Sequence, residues 1–117
     1  MTKKFMAIFV AEPGAFENWN AMDETVRKER EAKGMRAWHQ WHEDHKAIIV
    51  DAGGPLGKTK RTDLNGVRDI SNPIGGYIIV KAETHGAAAR LFENHPHFAI
   101  LPGNAVEIMP CNDIPTM

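Results

Sequence analysis

The sequence has few of the features that identify secreted, membrane-spanning or nucleic-acid-binding proteins. It contains one cysteine, Cys111, in 117 residues, so no disulfide can form within the chain and we expect a cytoplasmic location. The apolar run at residues 5–10 is too short for a signal-peptide core or a membrane span. The formal net charge of −1 gives no electrostatic reason to expect nucleic acid or a membrane as a partner.

A cofactor-binding motif is also missing. Residues 53–59, with the sequence GGPLGKT, superficially resemble a phosphate-binding loop. The glycines are one residue too close together, and a predicted hairpin follows instead of the helix whose N-terminus would bind phosphate. We therefore expect no nucleotide and no other cofactor.

What the sequence does contain is a series of short apolar segments separated by turns. Strands are predicted at residues 4–10, 47–50, 77–82 and 105–109, and helical segments at 16–33, 35–46 and 84–94. Asn65-Gly66 predicts a hairpin within an insertion at residues 56–73. The order predicts a single α+β domain over residues 1–117, with a ferredoxin-like βαββαβ fold and an antiparallel sheet.

The segment 35–46 has the clearest helical pattern. At about 100° per residue its apolar and histidine side chains form one stripe, and its charged side chains lie opposite. The stripe contains Met35, Trp38, Trp41, His42 and His45. Carried back past Gly34, the same spacing places Val26 on the wrong face, so we expect a break or a bend near Gly34.

Apolar residues occupy both faces of the predicted sheet. In the first strand Phe5, Ala7 and Phe9 alternate with Met6, Ile8 and Val10. Two helices cover only one face of a four-stranded sheet, and a bare apolar face marks an interface. We therefore expect a homodimer in which sheet packs on sheet. The alternative is that the hairpin insertion folds back over the second face.

Five stretches of the sequence, taken in order, resemble the YCII-related family of the dimeric α/β-barrel (ferredoxin-like) superfamily. They are residues 35–41 (MRAWHQW), 54–57 (GPLG), 71–77 (SNPIGGY), 92–98 (FENHPHF) and 105–110 (AVEIMP). The resemblance implies the dimeric α/β-barrel fold. It leaves the reaction open, because that superfamily contains monooxygenases, isomerases, dehydrochlorinase-like enzymes and non-catalytic modules.

The resemblance also implies a place to look for catalytic residues. Some enzymes of the family are thought to pair a histidine of the first helical region with a nearby aspartate. Aligned on Gly54-Pro55, those two positions fall near Trp38 and near His45 or Lys46, so the chain departs from the pattern. A comparable pair here would use His42 or His45 with Asp51.

The residues themselves point to histidine chemistry. Histidine suits acid–base catalysis near neutral pH, and it also binds metals. Because His39 points about 60° away from His42 on a helix, the three histidines at 39, 42 and 45 do not converge and we expect no metal. His42 is a predicted catalytic residue and His45 a predicted ligand contact. The alternative is that both lie at the edge of a tryptophan-rich core.

The segment 95–97 adds two imidazoles held apart by a proline. His97 is a second predicted catalytic residue, facing the same cavity as His42, and His95 is a predicted ligand contact. The alternatives are a structural turn and a cap at the helix C-terminus. Asp51 is the third predicted catalytic residue, as a base or as an orienting partner for a histidine; the alternative is that it bonds its own turn.

Trp38 and Tyr77 complete the predicted site as cavity-lining residues. The sequence thus predicts that a small organic molecule binds in a cavity lined by histidine and tryptophan, with proton transfer of the lyase or isomerase type. The alternative is a non-catalytic dimeric binding or accessory module.

Overall fold

The computed structural model describes residues 2–99 and 103–115. The strands are β1 (Lys3–Val10), β2 (Ile49–Pro55), β3 (Thr59–Asp63), β4 (Gly66–Ile70), β5 (Ile74–Ala82) and β6 (Ala105–Pro110). The helices are α1 (Pro13–Asn20), α2 (Glu24–His45), α3 (His85–Arg90) and α4 (Pro96–Ala99). Within these described residues, no helix combines the length and the apolar character needed to cross a bilayer.

The main sheet has four strands in the order β2-β5-β1-β6, and every pairing is antiparallel. β3 and β4 pair with each other and form a separate two-stranded hairpin between β2 and β5 in the chain. With the hairpin set aside, the connectivity is that of the ferredoxin-like fold. The predicted α+β fold class and its antiparallel sheet are therefore confirmed.

The core lies between the helices and one face of the sheet. Because side chains alternate along a strand, Phe5, Ala7 and Phe9 of β1 point to the same side as Ile78 and Val80 of β5. Trp41, Ala88 and Phe92 pack against them from the helical layer. The stripe predicted on the helix containing Trp41 thus faces this core, although Met35 remains half exposed.

The predicted break near Gly34 is wrong. α2 runs without interruption from Glu24 to His45, and Gly34 is one of its buried residues. A glycine inside a helix costs about 1 kcal/mol, so a single glycine weakens a helix without having to end it. The chain instead leaves the helical path before Asp23, whose side chain accepts a hydrogen bond from the backbone N–H of Thr25 at 3.1 Å and begins α2.

Two further segments differ from the sequence expectations. Residues 51–55, expected to form a turn, continue β2 through bulges. Gly53 has a φ of 61°, and a Cβ there would overlap the carbonyl of Tyr77, so only glycine fits. The segment 95–97, expected to lie in a loop, instead leads into the short helix α4 at 96–99, whose first residue, Pro96, needs no backbone N–H at that position.

The other face of the sheet carries apolar side chains, and none of the elements that the structure describes covers them. The cross-strand pairs Met6–Ile79 and Ile8–Tyr77 lie on this outer face, and all four residues are half-buried. The hairpin does not cover them, because β4 is exposed along its whole length.

Candidate functional site

A cavity of about 390 Å³ opens between α2 and the ends of β1, β2 and β5. Its lining is mostly apolar or glycine, with two imidazoles. The lining residues are Phe9, Ala11, Met35, Trp38, His39, Gly54, Pro55, Gly75, Gly76, His97 and Gly103. A larger depression of about 580 Å³ at the base of the hairpin, near Lys58 and Asn72, contains none of the predicted site residues.

Trp38 links the cavity to the core. Its ring lies 4.8 Å from that of Phe9, between centroids, and both residues line the cavity. On other sides it contacts His42, stacked at 5.7 Å, and His95, edge-on at 4.9 Å. Because aromatic rings with this spacing hold each other in place, Trp38 forms a fixed wall.

His97 is held by the main chain of two strands. It is 7% exposed, and its Nε2 lies 2.9 Å from the carbonyl oxygen of Val10 and 3.0 Å from that of Ala105. A carbonyl oxygen only accepts hydrogen bonds, so Nε2 carries a proton. Nδ1 of a neutral ring is then an acceptor, and it has no hydrogen-bond partner within the described residues.

The charge state of His97 follows from its surroundings. Burial lowers the pKa of His97, and the hydrogen bonds to Val10 and Ala105 oppose that effect. At neutral pH the ring is therefore uncharged. Nδ1 of His97 has no partner, yet it is not among the fully buried unpartnered atoms, since His95 Nε2 is the only such side-chain nitrogen or oxygen among the described residues. Nδ1 of His97 is therefore accessible from outside the core.

His95 lies behind the cavity wall rather than in it. It is fully buried, and its Nδ1 accepts a hydrogen bond of 3.0 Å from the backbone N–H of His97. Its ring meets the edges or faces of Phe9, Trp38 and Trp41 at 4.8–5.1 Å. The pKa of His95 is lowered to about 3, mainly by burial and in addition by the neighbouring histidines.

The two histidines in the last turn of α2 bond their own helix. Nδ1 of His42 donates to the carbonyl oxygen of Trp38 at 3.0 Å, and Nδ1 of His45 donates to that of Trp41 at 2.7 Å. His45 also stacks on Trp41 with centroids 4.1 Å apart. Neither histidine lines the cavity, so the structure does not bring His42 and His97 to one pocket.

Asp51 and Tyr77 also lie away from the cavity. Asp51 is exposed, and its Oδ1 accepts a hydrogen bond of 2.9 Å from the backbone N–H of Gly53, which is the local turn chemistry considered for it. Tyr77 points to the outer face of the sheet, opposite Ile8. Across residues 2–99 and 103–115, no histidine is hydrogen-bonded to a carboxylate, and no group of three or more side chains suits a metal ion.

Sequence reasoning missed several cavity residues. His39 was set aside because it points away from His42, yet it lines the cavity with Met35 and Trp38, with which it shares the i, i+3, i+4 spacing of one helix face. For Phe9 the sequence predicts only a position on one face of the first strand, and the structure adds that it lines the cavity. The remaining missed residues are Gly54, Pro55, Gly75 and Gly76. They lie in the stretches 54–57 and 71–77 that carry the family resemblance, and that resemblance was the signal that could have indicated them.

The sequence matches no model of a known protein family and no curated protein. The architecture defines the chain as an α+β protein of the ferredoxin-like type. Among solved structures it is similar to 5-chloro-2-hydroxyhydroquinone dehydrochlorinase from Burkholderia phenoliruptrix AC1100, in complex with 2,5-dihydroxybenzoquinone. The TM-score is 0.53 at 23% sequence identity, over 93% of each chain, which is a likeness of fold.

Proposed function

We propose that this chain binds a small organic molecule in the cavity beside Trp38, and that Nδ1 of His97 accepts a hydrogen bond or a proton from it. The observation that carries the proposal is the bonding of His97 Nε2 to Val10 and Ala105. Two carbonyl oxygens fix the ring and its tautomer, which leaves a hydrogen-bond acceptor free in a residue that lines the cavity.

The size and composition of the cavity support this function. At about 390 Å³ it lies within the range of small-molecule pockets, which combine apolar walls with a few placed polar groups. Trp38 and Phe9 supply the walls, and His39 and His97 the polar groups. The similar dehydrochlorinase structure holds a small ring compound, which is consistent with a ligand of this size.

The chemistry that His97 is suited to is proton transfer of the lyase or isomerase type. A bond from hydrogen to carbon or oxygen in the bound molecule breaks, the proton bonds to Nδ1, and the electron pair stays on the molecule. The resulting imidazolium is stabilised by the carbonyl oxygens of Val10 and Ala105. Return of the proton to another atom completes an isomerisation, and departure of a leaving group completes an elimination.

Binding without catalysis is the second candidate. It is favoured by one observation: no carboxylate orients His97 or shares a proton with it among the described residues. The two candidates differ in what His97→Gln does. In an enzyme this variant loses turnover while ligand still binds, whereas in a binding module only affinity changes.

The homodimer is part of the same proposal. The outer face of the sheet presents Met6, Ile8, Tyr77 and Ile79, which are apolar or aromatic and half-buried in the single chain. Met109 extends this face on β6, opposite Met6, and is 40% exposed. A second copy related by a two-fold axis covers such a face with an identical one.

An amide-resolved NMR titration tests the binding site. The probes are 4-ethylphenol and 4-ethylanisole, two neutral ring compounds of nearly equal size. Shifts centred on the amides of Gly54, Gly76 and His97 support the proposal, and Trp38→Ala weakens them. Trp19→Ala is the control, because Trp19 is buried outside the cavity. Shifts confined to the base of the hairpin, or none with either probe, overturn the proposal.

A further inference from the structure

We infer that the cavity selects neutral, planar ring compounds carrying a hydroxyl group, that is phenols or enols, over their ethers and over carboxylates. This inference rests on the proposed function and names the class of ligand for the same site. It follows from three properties of the lining: its lack of formal charge, the single kind of hydrogen bond that His97 offers, and the arrangement of its aromatic walls.

Charge is the first property. The lining contains no aspartate, glutamate, lysine or arginine in the part of the chain that is described. A carboxylate entering beside His97 loses water without gaining a buried counter-ion, which is costly. The other imidazole of the lining, His39, is exposed to solvent, where any interaction with a carboxylate is screened. His97 does not supply a cation, because it is buried and uncharged near neutral pH. A neutral ligand avoids this cost.

The hydrogen-bonding state of His97 is the second property. Its only N–H is already shared between the carbonyl oxygens of Val10 and Ala105, so the ring can accept a hydrogen bond from the ligand but cannot donate one. A hydroxyl group is a donor and satisfies Nδ1. An ether of the same shape has no donor, so it leaves Nδ1 without a hydrogen-bond partner.

The walls are the third property. Phe9 and Trp38 lie with ring centroids 4.8 Å apart and planes inclined by 51°, so both present aromatic surface to the cavity. Gly54 and Gly76 line it without side chains, and a Cβ on Gly54 would meet no atom within 4 Å. Backbone on one side and aromatic rings on the other leave a space suited to a flat ligand that packs against aromatic surface.

A matched series of three compounds tests the inference on the unmodified protein. They are 4-ethylphenol, 4-ethylanisole and 4-ethylbenzoate, and the dissociation constants are measured by isothermal titration calorimetry at pH 8. We expect the phenol to bind at least about tenfold more tightly than either of the others, because each of them leaves a buried polar group unpaired or a charge without a partner. His97→Phe removes the acceptor and is expected to reduce the phenol-to-anisole ratio to about one.

The outcomes separate the inference from the proposed function. Comparable affinity for the phenol and the anisole, with both bound beside Trp38, overturns the ligand class while the binding site stands. Preference for the benzoate overturns the charge argument in the same way. If none of the three binds beside Trp38, both the inference and the proposed function are wrong.

Discussion

The side chain of His95 and the backbone of His97 are joined by a hydrogen bond across the proline between them. Nδ1 of His95 accepts from the N–H of His97 at 3.0 Å. His95 itself is fully buried among Phe9, Trp38 and Trp41. His97, which lines the cavity, is thus held in place by His95, which does not. The buried ring of His95 also contacts Trp38 in the cavity wall.

Substitutions at His95 separate its hydrogen bond from its packing. His95→Phe keeps a ring of similar size but leaves the N–H of His97 without an acceptor. We expect a loss of about 1–3 kcal/mol in the free energy of unfolding and faster hydrogen exchange at the His97 amide. His95→Asn supplies an oxygen near the position of Nδ1 and is expected to retain the protection of that amide. Equal exchange rates of the His97 amide in both variants would show that the hydrogen bond to His95 does not protect it.

The stability of the fold is expected to fall in acid. In the folded protein the pKa of His95 is lowered to about 3 from its ordinary value of 6.5, mainly by burial, and burial also lowers the pKa of His97. Below pH 6.5 the unfolded chain therefore binds more protons than the folded chain, so stability present above that pH is lost as the pH falls toward 3.

The loss expected over this range is a few kcal/mol, because one pKa unit corresponds to about 1.4 kcal/mol. Urea unfolding at a series of pH values between 8 and 4 measures it. In His95→Phe the slope is expected to be much smaller, since that side chain cannot take up a proton. If the free energy of unfolding of the wild type falls with pH no more steeply than that of His95→Phe, the lowered pKa of His95 is contradicted.

Gly103 is expected to tolerate no side chain. A Cβ at this position would overlap the ring of His97, whereas a Cβ at Gly57 would meet no atom within 4 Å. Gly103→Ala should therefore displace the imidazole from the carbonyl oxygens of Val10 and Ala105 and weaken the binding of 4-ethylphenol by about tenfold. Gly57→Ala is the control and should bind as the wild type does. Unchanged affinity in Gly103→Ala would mean that the ring position is unimportant.

The sequence predicted the fold better than it predicted the site. Apolar alternation and turn residues are local signals, so the order of elements along the chain and the hairpin at Asn65-Gly66 followed from them. A break was expected near Gly34 because the apolar spacing changes there, whereas the interruption of the helix depends on the cap formed by Asp23.

The geometry around His97 could not be predicted in the same way. Its tautomer is set by the carbonyl oxygen of Val10, which is 87 positions away in the chain. Every residue has a backbone carbonyl group, so the sequence does not indicate which carbonyl oxygen accepts a hydrogen bond from a given side chain. The expected pairing of a histidine with Asp51 came from the family resemblance, and the structure shows Asp51 bonded to its own turn.

The dimer is tested by mass. Light scattering coupled to size exclusion at micromolar concentration should give twice the chain mass of 13.0 kDa. Ile8→Lys places a charge on the outer face of the sheet and is expected to yield single chains. Val67→Lys is the matched control, because Val67 lies on the exposed hairpin at 66% exposure. A wild-type protein that elutes as one chain would rule out the dimer.

The protonation state of His97 tests the account most directly, and it can be observed in histidine labelled with nitrogen-15. In a long-range proton–nitrogen correlation spectrum at pH 7, we expect Nε2 of His97 to carry the proton and Nδ1 to be bare. Addition of 4-ethylphenol should then shift the Nδ1 resonance most strongly. A ring protonated at Nδ1, or an Nδ1 signal that does not respond to the ligand, would contradict the assignment of His97 as the acceptor in the site.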